Sequence, residues 1–401
     1  YTTGITPALS PQLRETAATL LDTAQQAGTM TAFDVNYRSK LWSAEQARKT
    51  VTQFFQVVDV LIIALKDANA ILNYEGDATQ LAHHLASEFE FETVVVATPA
   101  DGRIDGVPWT NLALFVATMV STLLVGAVAW YYIPPANIAT NPLLALRAWP
   151  FTAAVLGVLT AHELGHYLAG RYHQVDVSLP YLIPFVVPFG TLGAIIRMRG
   201  RMPDRKTLFD IGVAGPLSGL VATVVVTAIG LSLDPMTIPP DVLDSSAQVI
   251  VFNNPPLLDL IATALGQPTS YADPTKTVHP VIIGGWVGMF FTVLNLLPVG
   301  QLDGGHMVRA MLGRRQETVA SLVPLALFGL AAYLYFVRNL SFNESVGLWA
   351  FWGLFATLIA YNGPANPADE TPLGWKRQLV GLLTFSLGAL CFLFVPIQLL
   401  G

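Results

Sequence analysis

Between Asp105 and Arg147 the chain runs for 41 residues without a single charged side chain. A helix needs about 20 mostly apolar residues to cross the hydrocarbon of a bilayer, so this stretch is long enough to supply a span. Charge also divides the chain: residues 1–104 carry 12 acidic and 7 basic side chains, whereas the much longer remainder carries 15 and 14. This contrast predicts a soluble first region and a membrane-embedded second region.

The second region reads as a polytopic α-helical membrane protein with about six to seven spans, for which the lipid bilayer is the surrounding partner. Residues 177–196 are uncharged, but Pro180, Pro184 and Pro188 make them a poor helix. They predict a re-entrant loop or hairpin packed against protein. The spans are expected near residues 111–133, 149–171, 211–233, 280–299, 319–337, 345–362 and 378–400.

Basic residues set the expected orientation of these spans. Clusters at 197–206, 309–315 and 376–377 fall on one side when seven spans are threaded, and the positive-inside rule makes that side the cytoplasm. The chain as a whole has a formal net charge of −6, so nucleic acid is not an expected partner. A single cysteine, Cys391, excludes a disulfide framework and a cysteine-rich zinc site.

The second expected span carries an H-E-x-x-H sequence from His162 to His166. On a helix, residues four apart lie one turn apart on the same face, so both imidazoles can reach one ion, and zinc suits such ligands. Glu163 would lie beside the ion, where it can take a proton from a zinc-bound water. The alternative is a chance pentapeptide on a helix, but three ionisable residues inside a span need a compensating partner. We therefore predict a metal site.

A zinc hydrolase uses three protein ligands and leaves one position open. Segment 295–306, at the end of the fourth expected span, offers the third ligand, and its proline, Pro298, and its three glycines predict a broken helix. Asp303 is the better candidate, because it is the only carboxylate there, and His306 is the runner-up. Asn295 has two open roles: it either caps the broken helix or holds a substrate backbone or oxyanion.

These motifs resemble the site-2 protease family of intramembrane zinc metalloproteases, particularly its archaeal, cyanobacterial and plastid branch. The resemblance covers about residues 103–401. It rests on the H-E-L-G-H sequence, the N-x-x-P-x-x-x-x-D-G sequence from Asn295, the Gly215-Pro216 pair and the proline- and glycine-containing stretch 184–193. The likeness to that branch rests on the lead sequence G-V-P-W-T-N-L at residues 106–112.

The resemblance implies Zn²⁺ as the cofactor, His162, His166 and Asp303 as its ligands, and Glu163 as the catalytic residue. It further implies hydrolysis of membrane-spanning protein substrates near the cytoplasmic side, in regulated intramembrane proteolysis. The expected location is the prokaryotic cell membrane, or a plastid membrane if the source is eukaryotic. The alternative function is a zinc-binding membrane protein without proteolysis, and Glu163 argues against it, because a pure binding site needs no base.

Residues 1–103 alternate expected strands (31–36, 58–64, 91–97) with expected helices (12–28, 66–73, 77–88), which favours a parallel α/β fragment. The run Asp34-Val-Asn36-Tyr-Arg38 resembles the ribokinase-like sugar kinases, particularly the 2-keto-3-deoxygluconate kinases, and this implies that Asn36 and Arg38 lie near a sugar cleft. The family's glycine-rich sugar-binding region and its Gly-Ala-Gly-Asp segment are absent, so no kinase activity is expected. Two domains are predicted, 1–103 and 104–401, with the first a decayed accessory domain, a natural fusion or a gene-model artefact.

Overall fold

The computed structural model describes residues 1–97, 107–186, 188–199, 202–243 and 249–400. The chain forms two compact units, Tyr1–Asp101 and Gly102–Gly401, and each unit has hydrophobic clusters of its own. The domain boundary expected at residues 103/104 lies outside the described residues.

The first unit is a parallel four-stranded sheet whose strands follow chain order. Phe33 pairs with Leu61, which pairs with Val94, and Phe33 and Leu61 are fully buried in the core. The expected parallel α/β arrangement is therefore confirmed. Its elements are β1 (Thr2–Thr3), α1 (Ile5–Leu9), α2 (Pro11–Gln26), β2 (Ala32–Asp34), α3 (Ala44–Phe54), β3 (Val60–Ala64), α4 (Leu65–Leu72), α5 (Ala78–Glu88) and β4 (Thr93–Ala97).

Helix α3 was not expected from the sequence. It begins at a capping box in which the Ser43 hydroxyl accepts from the Gln46 amide and the Gln46 side chain accepts from the Ser43 amide. These bonds satisfy backbone donors that a helix start otherwise leaves free. The apolar face of α3, with Val51 and Phe54, then packs into the core. Its short length and polar composition hid this amphipathic pattern in the sequence.

The second unit is mainly helical. Within its described residues, five helical stretches are long and apolar enough to cross a membrane: Trp109–Trp130, Pro142–Tyr172, Arg205–Ser232, Asp303–Phe336 and Phe342–Tyr361. These identify the unit as part of an integral membrane protein. Its helices are α6 (Trp109–Val125), α7 (Pro135–Thr140), α8 (Trp149–Tyr172), α9 (Arg205–Ser232), α10 (Pro240–Leu243), α11 (Pro256–Leu265), α12 (Val281–Asn295), α13 (Asp303–Leu312), α14 (Gln316–Phe336), α15 (Gly347–Asn362) and α16 (Trp375–Leu390).

Two of the seven expected spans differ from the prediction. Helix α12 has 15 residues, or about 22 Å, which is less than the roughly 30 Å of hydrocarbon. The last expected span, 378–400, is not one helix: α16 ends at Leu390, and the chain returns as a strand, Ile397–Leu400, paired with Val249–Phe252. Hydropathy alone did not reveal this strand, because a paired strand and a helix can be equally apolar.

The proline-rich stretch forms a β-hairpin, one of the two forms expected for it. Strand β6 (Tyr181–Pro184) pairs antiparallel with β7 (Thr191–Ile195). The residues on either side of them in the chain form a second short pair, β5 (Asp176–Val177) with β8 (Met198–Arg199). Backbone groups outside helices need partners within a membrane, and α6 supplies them. The Asn111 amide donates to the carbonyls of Leu179 and Pro180, and the Ser121 hydroxyl donates to that of Gly190.

The remaining short strands are β9 (Met202–Asp204), β10 (Met236–Thr237), β11 (Val249–Phe252), β12 (Lys276–Thr277), β13 (Pro367–Asp369) and β14 (Ile397–Leu400). Helices α8, α9 and α12 pack against one another at the centre of the unit. Helix α13 packs on α9, and α14 packs on α15. The loop between α12 and α13 joins the end of α12, one of the three central helices, to the start of α13, which packs on α9.

Candidate metal centre

Helix α8 presents both histidines of the H-E-x-x-H sequence to the protein interior. His162 and His166 are 6% and 5% exposed, and their ring centroids lie 4.9 Å apart. The helix is held in place by apolar contacts one to two turns earlier, where Val155 and Leu159 join a buried cluster with residues of α12. The four-residue spacing thus yields two imidazoles on one buried face, as expected.

Asp303 completes a compact group with the two histidines. Its Oδ2 atom lies 3.1 Å from the Nε2 atom of His162 and 3.1 Å from that of His166. The two Nε2 atoms are also 3.1 Å apart. Asp303 is the first residue of α13, where the helix dipole favours a negative charge. Among the described residues, this is the group of at least three His, Cys, Asp or Glu side chains able to hold one metal ion.

The dimensions of the group fit a tetrahedral metal ion. With bonds of about 2.0–2.1 Å, the ligand atoms of a tetrahedral zinc site lie about 3.3 Å apart, close to the observed triangle. Two neutral imidazoles and one carboxylate are a donor set that zinc accepts. In the salt bridges of the described residues, Asp303 contacts only histidines, so no lysine or arginine balances its charge there. The three side chains can therefore hold a divalent cation.

The backbone of α9 orients one of the two imidazoles. The Nδ1 atom of His166 lies 2.8 Å from the carbonyl oxygen of Ile211, so the N–H group of the ring is at Nδ1. The lone pair is then at Nε2, which faces Asp303 and His162. Metal-binding histidines are commonly oriented in this way, by a hydrogen bond from the ring nitrogen that does not bind the metal.

Two glycines of α9 make room for the imidazoles. A Cβ atom on Gly215 would overlap the His166 ring, and one on Gly219 would lie 2.9 Å from Nδ1 of His162. Between them, the Ser218 hydroxyl lies within hydrogen-bonding distance of the Ala161 carbonyl of α8, at 2.9 Å. Small residues let membrane helices approach closely, and here the approach seats both rings.

Glu163 stands beside the three-residue group rather than in it. The residue is 6% exposed and lines a cavity of about 180 Å³, as do His162 and Asn295. A carboxylate next to a metal-ligand set, facing an open cavity, is placed to exchange a proton with a molecule in that cavity.

Asn295 and His306, whose roles the sequence left open, lie in different surroundings. Asn295 is the last residue of α12, and its amide nitrogen lies 3.3 Å from Nε2 of His162, so the side chain points to the metal-ligand group. His306 is separate: its Nδ1 atom accepts from the Ala365 amide at 3.4 Å. The structure thus brings Asp303, and not His306, to the two histidines.

Three features of the site were not predicted from the sequence. They are the Ile211 carbonyl, the role of Gly215 and Gly219, and two rings of α15, Trp352 and Phe355, which line the cavity. The four-residue spacing of the glycines places them on one face of α9, a signal that was available. No local signal marked the α15 rings, because they face the cavity only once the helices pack.

Two regions of the chain match two different families of known proteins. Residues 150–334 match the family model described as Peptidase family M50, the site-2 protease family. Residues 1–104 match the model of the pfkB family of carbohydrate kinases. Both resemblances drawn from the sequence are confirmed.

The individual relatives divide in the same way. "Probable zinc metalloprotease EGY1, chloroplastic" of Arabidopsis thaliana is 38% identical over 242 residues, which are 59% of this chain and 41% of the relative. The protein of the same name from Oryza sativa subsp. japonica is 33% identical over 243 residues, 59% and 39% of the two chains. The "2-dehydro-3-deoxygalactonokinase" of Haloferax volcanii is 57% identical over 104 residues, 26% and 33% of the two chains. The chain thus spans well under half the length of each.

Proposed function

We propose that this protein is an intramembrane zinc metalloprotease that hydrolyses peptide bonds of membrane-spanning protein substrates. The observation that carries the proposal is the triangle of His162, His166 and Asp303 beside a cavity that Glu163 also lines. The names of the chloroplast relatives support zinc as the ion and proteolysis as the activity. The proposed location is a prokaryotic cell membrane, or a plastid membrane if the source is eukaryotic, and the chloroplast relatives fit the second option.

Each residue of the site has a role that follows from its position. A zinc ion, when bound, supplies Lewis-acid polarisation of the peptide carbonyl and acidifies water. Glu163 accepts the proton of the attacking water and returns it to the amine that leaves. Asn295, whose amide group lies at the edge of the ligand set, donates to the substrate carbonyl oxygen as negative charge develops on it. The Ile211 carbonyl keeps His166 in the ligating tautomer.

The substrate is a helix that must unwind before its carbonyls are accessible, because in a helix they accept intrachain hydrogen bonds. The cavity lies next to strand β7, whose Leu192 and Ala194 line it. Cleavage is proposed to occur near the cytoplasmic side, and the proteolysis is proposed to release a membrane-tethered factor. Residues 1–103 are proposed to form a separate domain without kinase activity.

Replacing Glu163 by Gln tests the catalytic proposal. The full-length protein in lipid nanodiscs is incubated with a single-span substrate, and the products are identified by mass spectrometry. Glu163→Gln is expected to keep its metal and to lose cleavage by about 10²–10⁴-fold, because general acid–base catalysis contributes on that order. Metal in both proteins with no cleavage by the wild type, over a panel of helices, would instead indicate the non-proteolytic zinc-binding alternative.

A further inference from the structure

The cavity beside Glu163 has two chemically different walls. One wall is polar and consists of His162, Glu163 and Asn295. The rest of the lining is mainly apolar and includes three aromatic rings: Phe291 from α12, and Trp352 and Phe355 from α15. The polar wall suits the peptide group that reacts. The aromatic wall has no role in the proton transfers proposed above.

The position of the rings follows from the helix they share. Trp352 and Phe355 are three residues apart and so lie on one side of α15, with ring centroids 5.1 Å apart in an edge-to-face contact. Gly353 and Ala356 of the same helix are buried, and Ala356 lies in the cluster shared with α14. The packing of α15 on α14 therefore fixes which side of α15 faces the cavity.

The cavity is small, and any side chain that enters it shares it with the reacting peptide group. It holds about 180 Å³, whereas an apolar cavity of about 150 Å³ is enough for a benzene molecule. A smaller side chain would leave part of the wall without contacts. A charged side chain would lose its solvation without gaining a partner on the aromatic side.

We propose that Phe291, Trp352 and Phe355 form a specificity pocket that receives one bulky apolar side chain next to the scissile peptide bond. This inference rests on the proposed protease function and adds a substrate class to it, namely membrane segments with a leucine- or phenylalanine-sized residue at the cleavage point. That side chain enters the pocket from lipid rather than from water, so its binding free energy comes from van der Waals contact within the pocket. Shape therefore decides the preference.

The test compares substrates that differ at one position. A single-span substrate carries Ala, Leu, Trp or Asp on either side of the cleaved bond, and kcat/KM is measured for the full-length protein in nanodiscs. The wild type is expected to prefer Leu over Ala by about tenfold and to leave the Asp substrate uncut. Phe355→Ala enlarges the pocket, so the ratio of Trp to Leu cleavage is expected to rise by about tenfold.

A matched variant on the same helix serves as the control. Leu354 is 55% exposed and does not line the cavity, so Leu354→Ala should keep the wild-type ranking. Phe355→Leu, a milder change, should give an intermediate shift if Phe355→Ala fails to assemble, and the metal content of each variant reports that assembly.

The outcomes separate the two claims. Identical rankings in the wild type, Phe355→Ala, Phe355→Leu and Leu354→Ala would overturn the specificity pocket while the protease stands. An absence of cleavage by the wild type on every substrate, equal to that of Glu163→Gln, would overturn the proposed function and the pocket with it.

Discussion

Histidines of α8, and the histidine that follows it, contact two aspartates at equal distances. His166 lies 3.1 Å from Asp303, and His173, two turns further on, lies 3.1 Å from Asp210. The surroundings differ. Arg377 donates to both oxygens of Asp210 at 2.8 Å, whereas Asp303 has a second histidine and no arginine or lysine in the salt bridges of the described residues.

The comparison shows that a histidine near an aspartate does not by itself indicate a metal site. At Asp210 the protein supplies the cation, and the fork of Arg377 matches the carboxylate in both directions. At Asp303 no arginine or lysine does so in the salt bridges of the described residues, and three ligand atoms converge there instead. The first group joins α8, α9 and α16, and the second is the proposed ion site.

Removing the carboxylate of the metal-ligand group should have the largest effect. Asp303→Ala leaves two ligands, so metal affinity is expected to fall by at least about 100-fold, beyond the roughly 10–100-fold that outer partners of a site contribute. Metal content after dialysis against a chelator, measured by mass spectrometry, checks this. Asp210→Ala is the matched control and should retain the metal; equal loss in both variants would contradict the distinction.

A methyl group on α9 should disturb the site without changing a ligand. Gly215→Ala places a Cβ atom on the His166 imidazole, so the ring must move and both metal content and cleavage should fall by about tenfold or more. Gly157→Ala, on α8 where a Cβ meets nothing within 4 Å, should behave as the wild type. Full metal retention in Gly215→Ala would show that the His166 ring can move aside and still bind the metal, which would contradict this prediction.

Breaking the arginine contact should affect stability rather than metal. Arg377→Ala leaves Asp210 with His173 alone, and the free energy of unfolding should fall by about 1–3 kcal/mol, as for a lost hydrogen bond to a charged group. Thermal unfolding in detergent measures the change. Arg377→Lys keeps the charge but loses the fork and should be intermediate. If these variants lost metal in proportion to their loss of stability, the group around Asp210 and the group around Asp303 would not be independent.

Asp34, in the first unit, has no arginine or lysine in the salt bridges of the described residues. Its carboxyl accepts from the Tyr1 hydroxyl at 3.4 Å and from the Asn36 backbone amide, and burial raises the pKa of the Asp34 carboxyl. Because the folded pKa is above the unfolded one, the unit should lose stability as pH rises from about 4 through the folded value.

Asp34→Asn should remove that pH dependence, which is expected to be small since the group is only half-buried. The rate of proteolysis within residues 1–97 of the full chain, followed from about pH 4 to pH 7, measures it. Glu15→Gln, an exposed carboxylate with the same change in charge, is the control. An unchanged pH slope in Asp34→Asn would show that the carboxyl has no part in it.

Local sequence patterns predicted much of the molecule. Helical spacing placed His162 and His166 on one face, and alternating strands and helices predicted the parallel sheet of the first unit. The prolines of 180–188 predicted a re-entrant loop or a hairpin, and the structure has a hairpin. The pattern was wrong for 378–400, because the chain after Leu390 pairs with a strand more than 140 residues earlier, and hydropathy does not report pairing.

What the sequence determined by itself is the chemistry available: two imidazoles and a glutamate in an apolar span, and one carboxylate in a broken segment. Only the tertiary structure decided which of Asp303 and His306 joins the histidines. That choice depends on a contact between residues 141 positions apart, and on the short turn that starts α13 at Asp303. The aromatic wall is a tertiary result for the same reason, since the spacing of Trp352 and Phe355 defines a face of α15 while the packing of α14 and α15 decides what that face meets.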